Sequence, residues 1–211
     1  MAEANPKRSS PLRREEIVDA AREMLADTDL ESLSLRRLAA SLGVTAPALY
    51  AHVEHKGDLL TAVAEQGFRE LVEAFDEVDA EDPLERLRAY GHSYIRLAIA
   101  DPGLFRVMFV FRPDPIPAPG ADNELAEATA AFAKPALAIA EAMEAGDIHP
   151  DRDPLLTAMT LWTTTHGLAT VLLLGSSGGE VILLDNHEEL VEDVINVTLE
   201  GLRVAPGWAG E

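Results

Sequence analysis

The chain has 211 residues, 47% of them hydrophobic and 26% charged, with no cysteine and a formal net charge of −20. That length and apolar fraction suffice for one large domain or two modest ones. The lack of cysteine excludes disulfide frameworks and thiolate metal sites. No run reaches the roughly 18 apolar residues of a membrane span, and the polar opening MAEANPKRSSPLRREE has no signal-peptide core. A cytoplasmic protein with no membrane attachment is expected.

A charge of −20 argues against nucleic acid as a partner, because phosphate binding needs cations. The distribution of charge reopens the question. Residues 1–60 carry 8 Lys/Arg and 10 Asp/Glu, a net of −2, whereas residues 61–211 carry 9 and 27, a net of −18. Lys7, Arg8, Arg13 and Arg14 stand between Asn5 and Arg14 with no acid among them. Two readings fit. A basic arm and a near-neutral module meet DNA in front of an acidic body that repels it elsewhere, or an acidic protein carries a disordered basic tail.

Helical periodicity then runs the length of the chain. Ile17, Ala21, Met24 and Leu25 mark one face of a helix from about Arg13 to Ala26. Ser34 is placed to N-cap a short helix carrying Leu35, Leu38, Ala39 and Leu42. Gly43 follows where a tight turn needs positive φ. Thr45 is placed to cap the next helix, with Pro47 in its first turn and Leu49 turned inward. Val53, Leu59, Leu60, Val63, Leu71 and Phe75 predict packing along a longer helix from about Lys56 to Val78, in which Gly67 serves either bending or close packing.

Asp82-Pro83 opens a helix with Leu84, Leu87, Tyr90, Gly91 and Tyr94 on one side; Asp101-Pro102-Gly103 breaks it, and the apolar stretch LFRVMFVF follows. Residues 113–120, PDPIPAPG, are a loop. An Ala-rich helix spans about Asn123 to Ala145, with Pro135 predicting a kink and Gly146 a stop. An apolar helix runs from Asp153-Pro154 to Leu174, and a last one from about Glu188 to Val204. Sustained period-2 alternation is absent, so the fold class is all-α. It divides into an arm (1–12), a three-helix helix-turn-helix domain (13–60), a helical ligand-binding and dimerisation domain (61–204) and a tail (205–211).

Two short helices joined by a glycine turn, apolar on their facing sides, form a helix-turn-helix whose second helix can enter a major groove about 12 Å wide. A plain helical hairpin fits the same spacing. The residues Ser34-Leu35-Arg36-Arg37-Leu38-Ala39, Leu42-Gly43-Val44, Ala48-Leu49-Tyr50-Ala51-His52-Val53, Lys56 and Leu59-Leu60 together resemble the DNA-binding domain of TetR-type repressors over about residues 13–60. The resemblance implies a homodimer on a palindromic double-stranded operator, and a body that binds a small-molecule effector. By the family pattern Ser34 caps its helix and touches a phosphate, and Arg36 reaches a base edge. Thr45 and Tyr50 offer hydroxyls, His52 a ring N–H and Lys56 an ammonium to phosphates. Ala46, Pro47 and Ala48 offer apolar contact only, such as to thymine methyls. An exposed helix arginine, a half-buried packing tyrosine and a structural histidine are the alternative readings of Arg36, Tyr50 and His52.

Further along, Leu161-Trp162-Thr163-Thr164-Thr165-His166-Gly167-Leu168 resembles the W-x-x-x-H-G motif of one C-terminal domain type in this family, and residues 97–109 resemble a second segment of it. Tyr94, Phe105, Met108, Phe109, Phe132, Trp162 and His166 are candidate contacts for an apolar or aromatic effector; ordinary core packing explains the same residues. The run Met159–Leu174, with Leu190, Val194, Val197 and Leu202 on the last helix, fits a dimer seam. No cofactor or metal is implied. Gly175-Ser176-Ser177-Gly178-Gly179 matches the hydrolase nucleophile elbow in letters, but a helix rather than a strand precedes it. His187-Glu188 lacks the second histidine of a zinc helix, Val191 standing in its place. His149 among Asp147, Asp151 and Asp153 reads as a capped turn. A helical adaptor independent of DNA is the remaining class.

Overall fold

The computed structural model describes residues 11–26, 28, 30–110, 126–176 and 187–204. Lys7 and Arg8 of the basic arm, the loop 113–120, the residues from Ser177 to Asn186 and the tail 205–211 lie outside them. Among the described residues the chain forms nine α-helices and no strand: α1 (Arg14–Ala26), α2 (Leu35–Ser41), α3 (Ala46–Tyr50), α4 (Lys56–Asp76), α5 (Pro83–Ala100), α6 (Pro102–Val110), α7 (Ala126–Glu144), α8 (Pro154–Ser176) and α9 (His187–Glu200).

Three Asp-Pro pairs start three of these helices. Proline at the first helical position lacks only an N–H that has no partner there anyway, and its fixed φ suits a helix. The preceding aspartate then caps the free amides. Asp82 Oδ1 accepts from Leu84 N at 2.7 Å and Glu85 N at 3.1 Å, Asp101 Oδ1 from Leu104 N at 2.8 Å, and Asp153 Oδ1 from Leu156 N at 2.7 Å. Asp101-Pro102 therefore both ends α5 and opens α6, which the apolar stretch 104–110 occupies. Gly43 (φ 67°) and Gly146 (φ 83°) end α2 and α7 in left-handed turns. At each, the two paired backbone bonds of a Schellman motif form, Gly43 N to Ala40 O and Val44 N to Ala39 O, and Gly146 N to Met143 O and Asp147 N to Ala142 O.

The helices fall into two compact units. The first holds the chain up to Phe68 together with the segment from Asp101 that contains α6; the second holds Arg69–Ala100 and the chain from Ala126 onward. This grouping differs from the contiguous split at residue 60 read from the sequence, and the reason is α6. A Cβ on Gly103 would lie 2.6 Å from Leu25 O, so α6 meets the backbone of α1 where only glycine fits. Arg22 Nε reaches Asp101 Oδ2 at 2.6 Å and ties the same two helices. Gly67 is the close-packing kind, since a Cβ there would meet Met108 Sδ at 2.5 Å and Leu104 Cδ1 at 2.9 Å. Phe68 stands edge-on to Phe109 beside it and Phe105 lies tilted against it, at 5.5 and 4.9 Å between centroids.

In the second unit α5, α7, α8 and α9 enclose Leu84, Leu87, Ile95, Ala98, Ala138, Ile139, Ala142, Leu168, Ala169, Leu172, Val191, Ile195 and Leu199. Gly91 lets α9 approach, its missing Cβ falling 3.1 Å from Ile195 Cδ1. Arg86 bonds Glu141 at 2.6 Å across α5 and α7. The last helix stops at Glu200, four residues short of the sequence expectation. Gly201 ends it, and the chain turns to pair Arg203 with Ile148 in an isolated antiparallel bridge, Val204 N donating to Asp147 O at 3.1 Å. Leu202 is therefore buried within its own chain, whereas Val197 stays exposed.

Candidate nucleic-acid interface

The helix-turn-helix is built by burying one side of two short helices. Leu35, Leu38 and Ala39 of α2 and Leu49 of α3 are buried, and Val53 closes the turn after α3. Ser34 holds the N-cap position of α2 in extended conformation, but its hydroxyl makes no capping bond; the carbonyl alone starts the helix, to Leu38 N at 2.9 Å. Thr45 does cap α3, its hydroxyl accepting from Ala48 N at 3.3 Å, with Pro47 in the first turn.

The sequence candidates then divide by exposure. Arg36, Thr45, Pro47, Ala48, Tyr50 and His52 are exposed, and Ser34, Ala46 and Lys56 half-buried. Tyr50 is 50% exposed, more than a packing residue would be. Arg37, beside Arg36, is exposed as well. Lys56 sits at the first position of α4, but its ammonium turns back, donating to Leu30 O and to Glu31 O at 3.2 Å. Two of its three N–H bonds are thus spent on the backbone of the 3-10 turn Leu30–Ser32.

Two residues organise the turn between α3 and α4. His55, which the sequence did not mark, caps α4, its Nδ1 accepting from Asp58 N at 2.9 Å. Arg14, counted in the sequence among four N-terminal cations, is the first residue of α1, where the spacing placed a helix, and bonds Asp58 at 2.6 Å. That hydrogen bond holds the Asp58 carboxyl below its usual range and raises Arg14 above its own. No local pattern reveals such a partnership, because 44 residues separate the two.

The candidate effector residues separate into two clusters. Phe105, Met108 and Phe109 lie in the first unit, where Phe105 and Met108 are buried against α4. Tyr94, Phe132, Trp162 and His166 come together in the second. Tyr94 Oη bonds His166 Nδ1 at 2.7 Å and accepts from Trp162 Nε1 at 3.2 Å. Phe132 stands edge-on to Trp162 at 5.2 Å, and the Trp162 and His166 rings lie 5.2 Å apart. Burial raises the Tyr94 hydroxyl well above its ordinary value and lowers His166. The pair four residues apart on α8 thus shares a phenol from α5, making a polar chain in a largely apolar interior.

A model of the N-terminal domain of bacterial regulatory proteins of the tetR family matches residues 17–63, and a model of the tetracyclin repressor-like C-terminal domain matches residues 87–197. The chain belongs to the TetR family. This is a family of transcriptional regulators, not of enzymes. The Escherichia coli tetracycline repressor protein class D is 47% identical over 53 residues, 25% of this chain and 24% of that protein, so the match spans about a quarter of the curated relative. A structure of a Rhodococcus sp. RHA1 protein described as of unknown function has a TM-score of 0.78 at 26% identity, covering 95% of this chain and 100% of that one. A tetR-family regulatory protein from Rhodococcus RHA1 has a TM-score of 0.71 at 18% identity, covering 97% and 100%. No helix among the described residues is long and apolar enough to cross a membrane.

Proposed function

We propose that this TetR-family chain is a cytoplasmic, homodimeric repressor that binds a palindromic operator through α3 and is released from it by a small apolar or aromatic effector. The observation that carries this reading is the presentation of α3. A five-residue helix buries Leu49 and turns Thr45, Pro47, Ala48 and Tyr50 to solvent, with Arg36 exposed on the helix before it. Hydroxyls at Thr45 and Tyr50 and the His52 ring suit phosphates, which position a protein on DNA; Arg36 suits a guanine edge, which specifies sequence. Ser34 and Lys56 complete the phosphate set, with Ala46, Pro47 and Ala48 as apolar contacts. Residues 13–60 form the reading module.

The effector reading rests on the Tyr94–Trp162–His166 chain, where a ligand gains hydrogen-bond partners inside apolar walls; Phe132 belongs to that wall, and Phe105, Met108 and Phe109 to the neighbourhood of α4. The dimer reading rests on α8, which leaves Leu155 and Leu156 61% and 67% exposed, with Met159 beside them. Effector binding favours one conformation of the body and thereby lowers operator affinity.

Titration of a labelled duplex from the region upstream of the protein's own gene tests the reading. Tight binding that weakens steeply with salt supports it, and absence of binding at low salt overturns it. In the same assay Lys56→Ala lowers the slope of log K against log salt by about 1.8 if each subunit of a dimer places Lys56 on a phosphate. An unchanged slope assigns Lys56 to the backbone of the 3-10 turn alone.

A further inference from the structure

The turn between α3 and α4 carries the proposed phosphate contacts most closely, since Tyr50 ends α3 and His52 lies within it. One guanidinium spans the turn. Arg14 Nη1 donates to His52 O at 2.7 Å and to Asp58 Oδ2 at 3.3 Å, and Nη2 donates to Asp58 Oδ1 at 2.6 Å. Asp58 Oδ2 also accepts from Glu54 N at 3.0 Å. Both backbone ends of the segment 52–54 are thus held, one by Arg14 and the other by the carboxylate that Arg14 itself holds. The side chains remain 47% and 24% exposed, and an ion pair that solvated adds little to global stability. Its consequence is geometric: a planar fork with several donors fixes direction as well as distance.

We propose that Arg14 and Asp58 are positioning residues for DNA binding, which hold the α3–α4 turn so that Tyr50 and His52 meet the phosphate backbone while neither Arg14 nor Asp58 touches DNA. The inference rests on the DNA-binding reading above. It inverts the simple electrostatic expectation. Arg14 as a loose cation would act on phosphate directly, and Asp58 as an anion near the interface would only repel it. As a clasp, the anion is required and the cation is already neutralised by its partner.

The test uses the full chain, the upstream duplex and a salt series, with Arg14→Lys, Asp58→Asn and the double variant. Lysine keeps the charge but loses the fork. Each single variant is expected to bind about tenfold more weakly, the scale of a lost charged hydrogen bond, with an unchanged salt slope. The double variant is expected to be no weaker than either single one. Tighter binding by Asp58→Asn, wild-type affinity in Arg14→Lys, or a slope lower by about 1.8 overturns the proposal. Hydrogen exchange on the free proteins separates this result from the DNA reading. Faster exchange at Glu54 N–H in both single variants, with unfolding midpoints near that of the wild type, shows the clasp. Unchanged exchange there removes it, whether or not the wild type binds the duplex.

Discussion

The two compact units hold their helices by different means. In the first, α2 has seven residues and α3 five, too few to be stable alone. They are fixed by turns and caps, the Schellman turn at Gly43 and the Thr45 cap, while the His55 cap and the Arg14 clasp hold the turn into α4 and Gly103 sets α6 against the α1 backbone. In the second, α5, α7 and α8 have 18, 19 and 23 residues and are held by buried apolar area. There the unusual element is polar, the Tyr94–Trp162–His166 chain. A surface meant to be read must leave its side chains free, so backbone contacts and caps hold it. An interior can instead spend side chains on packing and keep a polar chain within.

That contrast can be broken most sharply at Gly103. An alanine there meets Leu25 O, a backbone atom that cannot turn aside, and Gly103→Ala is expected to cost about 3 kcal/mol in urea unfolding. Gly67→Ala meets only the flexible end of Met108 and the Leu104 methyl. Alanine's better helix propensity offsets part of that strain, so its cost is expected near 1 kcal/mol or below. Equal costs would show that the α1–α6 backbone contact is not what fixes α6.

In the second unit, Tyr94→Phe keeps the ring and removes the hydroxyl. The bonds from Tyr94 Oη to Trp162 Nε1 and His166 Nδ1 are both removed, an expected loss of about 1–3 kcal/mol, with a change in tryptophan fluorescence. A variant as stable as the wild type would make the chain incidental to the core.

The smallest effect concerns pH. Burial lowers His166 in the folded state from its ordinary 6.5. The unfolded chain therefore takes up this proton first as pH falls below 6.5, and the folded state loses stability until pH passes the lowered value. Above 6.5 the residue is neutral in both states and contributes no slope. His166→Gln is expected to remove this part of the pH dependence of Tm, read as the difference from wild type. An identical pH profile in the variant would place the imidazole in a solvent-like setting.

Much of the fold is legible in the sequence because its signals are local. Asp82-Pro83 and Asp153-Pro154 announce helix starts through a cap and a proline, and Gly43 and Gly146 announce stops through their positive φ. The inward Leu38, Ala39 and Leu49 follow from spacing, as does Tyr50 standing outward next to Leu49. Two exceptions stand out. Ser34 occupies its cap position without using its hydroxyl, and Gly201 ends α9 before Val204, where the chain pairs with the distant Ile148 segment.

What the sequence could not show is every relation that joins distant parts of the chain. Whether Gly67 eases bending or makes room for a neighbour depends on α6, which lies some forty residues on. Arg14 looks like one of four arm cations until Asp58 is beside it, and Lys56 looks like a free ammonium until the carbonyls of Leu30 and Glu31 face it. Sequence alone determined most of the helices, the Thr45 cap and the glycine stops, because backbone sterics and helical period act within a few residues. Only the tertiary structure decided which charges are spent, which glycines are contacts, and that Tyr94 joins Trp162 and His166, because hydrogen bonds and packing depend on distance in space and not along the chain.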